Sequence, residues 1–150
     1  MSCKFRSVID HQEWIFSGVY GLRLDREMML LWDKLAGIIT WWDVPWCVGG
    51  DLNVVRFPSE RSRGQNFTSA MQGFSNFISS SDLVDPPLEG GSWSNSREEE
   101  AMSCIDRFLY ITEWEDQFPN IIQWRMPWLL SDNFPIILEC GQIQWCKRPF

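Results

Sequence analysis

Residues 45–55 read Pro-Trp-Cys-Val-Gly-Gly-Asp-Leu-Asn-Val-Val, an apolar run that meets a glycine pair and then two polar side chains. The apolar run predicts a buried strand. If that strand continues past the glycines, Asp51 and Asn53 share one face and Leu52 turns into the core, because alternate strand residues point the same way. Such a pair can hold a water molecule or a metal-bound phosphate. A surface turn is the alternative, and it is favoured on local grounds because Gly, Asp and Asn are common turn residues.

Strand-like and helix-like segments flank this stretch on both sides. Aromatic and β-branched runs predict further strands, and apolar residues spaced by three and four predict amphipathic helices. The predicted strands cover 13–20, 46–55, a short piece around Trp93, 103–110, 121–126 and 134–140, and the predicted helices cover 24–38, 68–80 and 113–118.

The order of these elements, βαβαββαββ, favours an α/β sandwich of mixed sheets with outer helices over a doubly wound parallel sheet. Thr112 and Glu115 have the spacing of a capping box, which predicts how the third helix begins. We expect one domain over 13–141, preceded by 1–12 and followed by a tail at 142–150, neither of which predicts an element.

Polar side chains stand out at three other places. Tyr20 ends the first predicted strand, where its ring either packs or offers its hydroxyl to a phosphate. Asp106 lies among apolar residues on a predicted buried strand, and a carboxylate there needs a partner. Arg56, Arg61 and Arg63 form the one basic cluster, which is either a solvated loop or a contact to nucleic-acid phosphate.

The charge balance limits the partners. The 150 residues carry 13 Lys and Arg against 20 Asp and Glu, a net charge of −7, which argues against tight binding to a phosphate backbone. It does not argue against phosphodiester chemistry, because carboxylates hold Mg²⁺ at such sites. Ten Trp and ten Phe need a core or a partner surface to cover them.

The cellular compartment is predicted from the cysteine pattern and from the lack of a recognisable signal peptide or membrane-spanning segment. Five cysteines without paired zinc-ligand spacing indicate reduced thiols. No apolar segment near the start predicts a signal peptide, and none approaches membrane-spanning length. We therefore expect an intracellular protein without a membrane partner; nucleus and cytoplasm are not distinguished.

Four motifs occur in a fixed order: Gly-Val-Tyr (18–20), Gly-Gly-Asp-Leu-Asn (49–53), Ile-Asp-Arg-Phe-Leu (105–109) and Leu-Ser-Asp-Asn-Phe-Pro-Ile (130–136). This set resembles the C-terminal portion of the endonuclease/exonuclease/phosphatase superfamily, the DNase I-like fold. The connecting sequence, such as Asn-Val-Val-Arg-Phe-Pro-Ser-Glu-Arg, is most similar to the endonuclease domain of plant LINE-type (non-LTR) retrotransposons. The resemblance spans about 13–141 and implies a partial four-layer α/β sandwich whose N-terminal half is missing.

The resemblance implies a role for each matching residue in metal-dependent cleavage of DNA. Tyr20 would contact the scissile phosphate, and Asp51 would orient or deprotonate the attacking water. Asn53 would stabilise the transition-state oxygen. Asp106 would orient a catalytic histidine, and Asp132 would lie near the Mg²⁺ or Mn²⁺ ion.

Two departures from the family pattern affect the expected activity. Asn133 occupies the histidine position, and an amide cannot change protonation near neutral pH. Losing one positioned acid/base group costs about 10²- to 10⁴-fold in rate. The family's glutamate metal ligand belongs to the upstream half, and Glu13 does not match its motif. The chain is therefore predicted to be a degenerate endonuclease fragment, weakly active or inactive.

Two alternatives stay open at this point. One is an active, divergent endonuclease or phosphatase of the same superfamily. The other is a non-catalytic interaction module, whose uncovered apolar surface would favour self-association.

Overall fold

The chain folds into two β-sheets with flanking helices, and the computed structural model describes residues 1–62, 66–91, 103–127 and 134–141. The strands are β1 (Ser2–Arg6), β2 (Glu13–Tyr20), β3 (Trp46–Asp51), β4 (Leu83–Val84), β5 (Leu88–Glu89), β6 (Asp106–Ile111), β7 (Ile122–Arg125) and β8 (Ile136–Glu139). The helices are α1 (Asp25–Trp41), α2 (Ser69–Ser80) and α3 (Glu113–Gln117), with one 3₁₀ turn at Pro58–Glu60. The predicted strand around Trp93 and the tail at 142–150 lie outside the described residues.

The larger sheet has the strand order β1-β2-β3-β6-β4. β2 and β3 are parallel because α1 carries the chain back across the sheet between them, whereas the other pairs are antiparallel. This mixed sheet confirms the predicted α/β class. β1 is an addition to the prediction: its five residues are all exposed, so no burial alternation in the sequence marks it as a strand.

The smaller sheet has the order β5-β7-β8 and is tied to the larger one by a buried glutamine. Gln123 is 1% exposed. Its Oε1 accepts from the Phe108 backbone N–H at 2.6 Å, and its Nε2 donates to the Pro86 carbonyl at 3.1 Å. The amide group is therefore satisfied on both sides, as a buried polar group must be.

Helices α1 and α2 cover one face of the larger sheet. The predicted stripe of α1 is buried at Met28, Trp32 and Leu35. Trp32 stacks on Phe77 with ring centroids 5.1 Å apart. The Thr68 hydroxyl accepts from the Met71 N–H at 3.3 Å and so caps α2. The predictions for both helices are confirmed.

The predicted capping box of α3 is wrong. Thr112 already has helical dihedral angles (φ −56°, ψ −34°) and its side chain makes no cap hydrogen bond. Glu115 instead accepts from the Tyr110 hydroxyl at 3.0 Å, a contact that the spacing of Thr112 and Glu115 does not reveal.

Within the described ranges, no helix is long and apolar enough to cross a membrane.

Candidate functional site

Three of the predicted site residues lie side by side at one end of the larger sheet. Tyr20 on β2 pairs in register with Asp51 on β3, and Asp51 pairs with Asp106 on β6. Residues paired directly across neighbouring strands project to the same face, with strands about 4.8 Å apart. These three residues are called the register row below. The sheet therefore places together a phenol and two carboxylates that are distant in sequence.

Asn53 joins the register row through a turn rather than through a continued strand. β3 ends at Asp51, so the expectation that strand alternation aligns Asp51 with Asn53 is wrong. The Asn53 backbone has a positive φ of 56°, and its N–H donates to Asp51 Oδ1 at 2.8 Å. Its Nδ2 donates to the Gly21 carbonyl at 3.4 Å. Leu52 is 1% exposed, as predicted.

Glycines allow the strands and the turn to approach each other here. Gly50 has φ +141°, and a Cβ added to it would overlap the Val19 carbonyl oxygen on β2. A Cβ on Gly21 would overlap the Leu52 carbonyl group. Only glycine fits where backbones come this close or adopt such dihedral angles. The glycine before Asp51 is thus required by the geometry that seats the row.

The register row faces solvent to different degrees. Tyr20 is 74% exposed, whereas Asp51 and Asp106 are half-buried. An exposed phenol can donate a hydrogen bond to a phosphate oxygen, and a carboxylate can hold or deprotonate a water molecule. The row therefore combines a hydroxyl donor with two carboxylates, a set of groups that can bind a phosphodiester. Tyr20 is its most exposed residue.

The described residues do not form a metal centre on their own. Across 1–62, 66–91, 103–127 and 134–141, no group of three or more His, Cys, Asp or Glu side chains is placed to hold an ion. Mg²⁺ needs an octahedral set of oxygen ligands, usually one or two carboxylates completed by water and phosphate. The predicted ligand Asp132, its neighbour Asn133 and the basic residue Arg63 all lie outside the described residues.

Of the two described arginines of the basic cluster, Arg56 has its side chain in an ion pair, whereas Arg61 is placed by backbone pairing. Arg56 Nη1 lies 3.4 Å from Asp85 Oδ2, and the Arg56 backbone N–H donates to Glu60 Oε2 at 2.7 Å. Arg61 forms an isolated antiparallel bridge with Ser103. A phosphate contact by Arg56 would therefore compete with its ion pair to Asp85.

Sequence reasoning missed the residue that organises this region, Arg107. Its side chain is 2% exposed, and its Nη2 donates to Glu60 Oε2 and to the Cys104 carbonyl, both at 2.7 Å. Its Nη1 donates to Asp85 Oδ2 at 2.8 Å. Arg56, Glu60, Asp85 and Arg107 are called the ion-pair cluster below.

Inside the ion-pair cluster, burial and the neighbouring opposite charges shift the pKa values of Arg107 and Asp85 in opposite directions. Burial alone would lower the pKa of the Arg107 guanidinium, but Asp85 and Glu60 outweigh it and raise that pKa. Burial raises the pKa of Asp85, and Arg107 offsets only part of this effect. The signal for the cluster was present in the sequence, since Arg107 alternates with the apolar Leu109 on a core-facing position.

Two cavities lined by described residues do not include the register row in their lining. A cavity of about 630 Å³ lies at the opposite end of β3 and β6, near Trp42, Pro45 and Glu113. A smaller cavity of about 220 Å³ is lined by the ion-pair cluster together with Phe57, Cys104 and Gln123.

The strand order, the outer helices and the register row define a partial DNase I-like α/β sandwich. Solved structures share this fold. A 3′-5′ exonuclease from Neisseria meningitidis has a TM-score of 0.68 at 12% identity, over 87% of this chain and 62% of that chain. The endonuclease domain of TRAS1, a telomere-specific non-LTR retrotransposon, has a TM-score of 0.62 at 10% identity, over 94% and 63%.

A third similar structure is an endonuclease/exonuclease/phosphatase family protein from Bacteroides thetaiotaomicron, with a TM-score of 0.62 at 14% identity over 95% and 54% of the two chains. The chain thus spans between 54% and 63% of the length of these three structures. No protein-family model and no curated protein matches the sequence. At such low identity the likeness establishes the fold alone.

Proposed function

We propose that the chain is a degenerate fragment of a retrotransposon-type DNA endonuclease domain, in which the centre of a metal-dependent phosphodiesterase site persists with little or no turnover. The register row of Tyr20, Asp51 and Asp106 is the observation that carries this proposal. Three residues picked out by separate motifs become register partners on three strands. The fold shared with nucleases supports the same class of chemistry.

Each described residue has a role in this proposal. The exposed Tyr20 hydroxyl donates to a phosphate oxygen, and Asp51 orients the attacking water. The hydrogen bond from the Asn53 N–H to Asp51 Oδ1 fixes that carboxylate. The Asn53 carboxamide stabilises the negative charge that develops on an oxygen in the transition state. Asp106 would take the family's positioning role, which stays a prediction because Asn133 lies outside the described residues.

Turnover is low in this proposal because the proton-transfer group and the metal ligands are incomplete. Asn133 stands where the family has histidine, which alone costs about 10²- to 10⁴-fold in rate. The described carboxylates do not complete a Mg²⁺ site without Asp132. The two deficits act on the same step, so they compound.

A plasmid-nicking assay with Mg²⁺ or Mn²⁺ tests the proposal. We expect nicking close to background for the natural chain, and any residual nicking should disappear in Asp51→Ala. The matched control is Asp43→Ala, an exposed aspartate beyond the other end of β3. Asn133→His alone should not restore cleavage, because the metal site would still be incomplete.

Three outcomes would contradict parts of this proposal. Robust cleavage lost in Asp51→Ala would establish an active divergent nuclease instead of a degenerate one. Residual cleavage that survives in Asp51→Ala would remove the register row from the reaction. Recovery by Asn133→His would show a complete metal site. The predicted self-association through apolar surface remains a separate proposal, which size-exclusion chromatography over a concentration series addresses.

A further inference from the structure

The smaller sheet has one buried face and one exposed face. Its inner face carries Gln123, which is 1% exposed, and Leu138, which packs against buried residues of the larger sheet. Side chains alternate along a strand, so the neighbours of these two residues point outward. Ile122, Trp124 and Ile137 are 37%, 39% and 46% exposed. The outer face of this sheet is therefore apolar and only partly shielded from solvent.

These exposed side chains form one patch with acidic residues at its edges. Trp124 and Ile137 are register partners on β7 and β8, and Ile122 is paired with Glu139. Trp124 Nε1 donates to Glu139 Oε2 at 2.8 Å, which holds the indole across the two strands. Glu89 on β5 is paired with Trp124 from the other side. Ile122, Trp124 and Ile137, with Glu89 and Glu139 at their edges, are called the outer patch below.

The charge of the outer patch selects the chemistry of what covers it. Two carboxylates at the edge of an apolar surface favour a segment that combines apolar side chains with Lys or Arg. The tail at 142–150 lies outside the described residues and reads Gln-Ile-Gln-Trp-Cys-Lys-Arg-Pro-Phe. It contains no acidic residue, and it combines three large apolar residues with two basic ones: Ile143, Trp145, Phe150, Lys147 and Arg148.

The tail starts beside the outer patch. β8 ends at Glu139, a residue of the patch, and the tail begins after Cys140 and Gly141. Gly141 has a φ of +91°, a conformation that glycine adopts readily at turns, and its N–H donates to the Pro119 carbonyl. Crossing three strands takes about 10 Å, which an extended chain covers in about three to four residues. The tail is therefore long enough to reach every residue of the patch.

We propose that the tail docks on the outer patch of its own chain, with its apolar side chains on Trp124 and Ile137 and its basic residues beside Glu89 and Glu139. Covalent attachment gives the tail an effective concentration of about a millimolar, which a second copy of the chain reaches only in concentrated solution. The docking surface lies on a different sheet from the register row, so the inference does not rest on the proposed function.

Carbodiimide cross-linking of the full chain with peptide mass spectrometry tests the docking, because the reagent joins a lysine to a carboxylate in direct contact with it. The lysines are at 4, 34 and 147, so the links are simple to assign. Lys147 is expected to couple to Glu89 or Glu139. The positive control is Lys4, which should couple to Glu13, its ion-pair partner at 2.7 Å.

Trp145→Ser and Ile137→Ser test the apolar contact from its two sides. Each removes a large apolar side chain from the docked interface, which should shift the docking equilibrium about 3- to 10-fold towards the undocked tail. The yield of the Lys147 cross-link should fall in both variants. Trp145 belongs to the tail, so its replacement leaves the core of both sheets unchanged.

Matched control variants exist for both sides of the contact. Gln144→Ser changes a polar neighbour in the tail, and Leu30→Ser changes a residue of α1 that is 53% exposed. Neither should alter the yield of the Lys147 cross-link. An unchanged Lys4–Glu13 yield in all four variants shows that the larger sheet remains folded.

An equal mixture of isotopically light and heavy chains identifies the copy on which the tail docks. Docking on its own chain requires that the Lys147 cross-links carry unmixed labels. Mixed labels would show that the tail occupies a second copy, and they would overturn the proposal. It would also be overturned if Lys147 formed no link to Glu89 or Glu139, or if both Trp145→Ser and Ile137→Ser left the yield unchanged.

Discussion

Asp106 and Arg107 are consecutive residues of β6, and they serve opposite faces of the same sheet. Asp106 joins the register row with Asp51 and the exposed Tyr20. Arg107 is buried, and its Nη1 and Nη2 atoms are paired with groups of the protein. The first face carries the exposed Tyr20 beside two half-buried carboxylates, whereas the charge on the second face holds a loop in place. Substitutions on the two faces should therefore separate binding from stability.

The largest effect on stability is expected for Arg107→Met. Removing the guanidinium leaves the Glu60 and Asp85 carboxylates without their buried partner, which typically destabilises a protein by about 3–5 kcal/mol. The measurement is the free energy of unfolding from chemical denaturation. The control is Arg23→Met, an exposed arginine whose loss should cost less than about 0.5 kcal/mol.

A double neutralisation sharpens the same comparison. Adding Glu60→Gln and Asp85→Asn to Arg107→Met removes the uncompensated charges, so part of the lost stability should return. If the triple variant is no more stable than Arg107→Met, packing of the side chain rather than its charge accounts for the loss.

The second effect concerns the backbone that seats the register row. In Gly50→Ala the new Cβ meets the Val19 carbonyl oxygen at a backbone φ of +141°, so overlap and strain add. We expect a loss of about 2–4 kcal/mol in unfolding free energy. Gly18→Ala is the matched control on the neighbouring strand, because the nearest atoms to its added Cβ lie 4.0 Å away. If Gly50→Ala and Gly18→Ala lower the unfolding free energy equally, the close approach of β2 and β3 at Gly50 does not account for the loss.

The sequence predicts the secondary structure well where a single face is buried. The stripe of Met28, Trp32 and Leu35 has helical spacing, and burial alone then determines the element. β1 escapes prediction because all five of its residues are exposed at the sheet edge, so no periodic signal exists. Local patterns therefore predict elements that bury a face, and they fail where pairing alone makes the strand.

The site is predicted less completely, because it depends on register between distant strands. The family motifs select Tyr20, Asp51 and Asp106, but no spacing in the sequence determines that they become direct neighbours. Likewise, the position of Arg107 on a core-facing strand indicates that a partner is needed without indicating Glu60 or Asp85. Contacts between residues distant in sequence supply these partners. Glu115 shows a related failure on a local scale, because it accepts from the Tyr110 hydroxyl instead of capping a helix.

The smallest effect on stability is expected for Tyr20→Phe, which should act on binding instead. The chain has two tyrosines, and they contrast directly. Tyr20 is 74% exposed, so losing its hydroxyl should change the unfolding free energy by less than about 0.5 kcal/mol. If that hydroxyl contacts the phosphodiester, oligonucleotide affinity should nevertheless fall about 3- to 10-fold, the worth of one hydrogen bond.

Tyr110→Phe is the internal control for this last prediction. Tyr110 is a buried residue whose hydroxyl donates to Glu115 at 3.0 Å, and burial together with that hydrogen bond raises the pKa of Tyr110. Its removal should cost about 1 kcal/mol of stability and leave oligonucleotide affinity unchanged. If Tyr20→Phe instead lowers stability as Tyr110→Phe does and leaves affinity intact, the Tyr20 hydroxyl is structural. The register row would then lose its most exposed group as a phosphate contact. The distinction between a binding face and a stabilising face of the sheet would no longer hold for Tyr20.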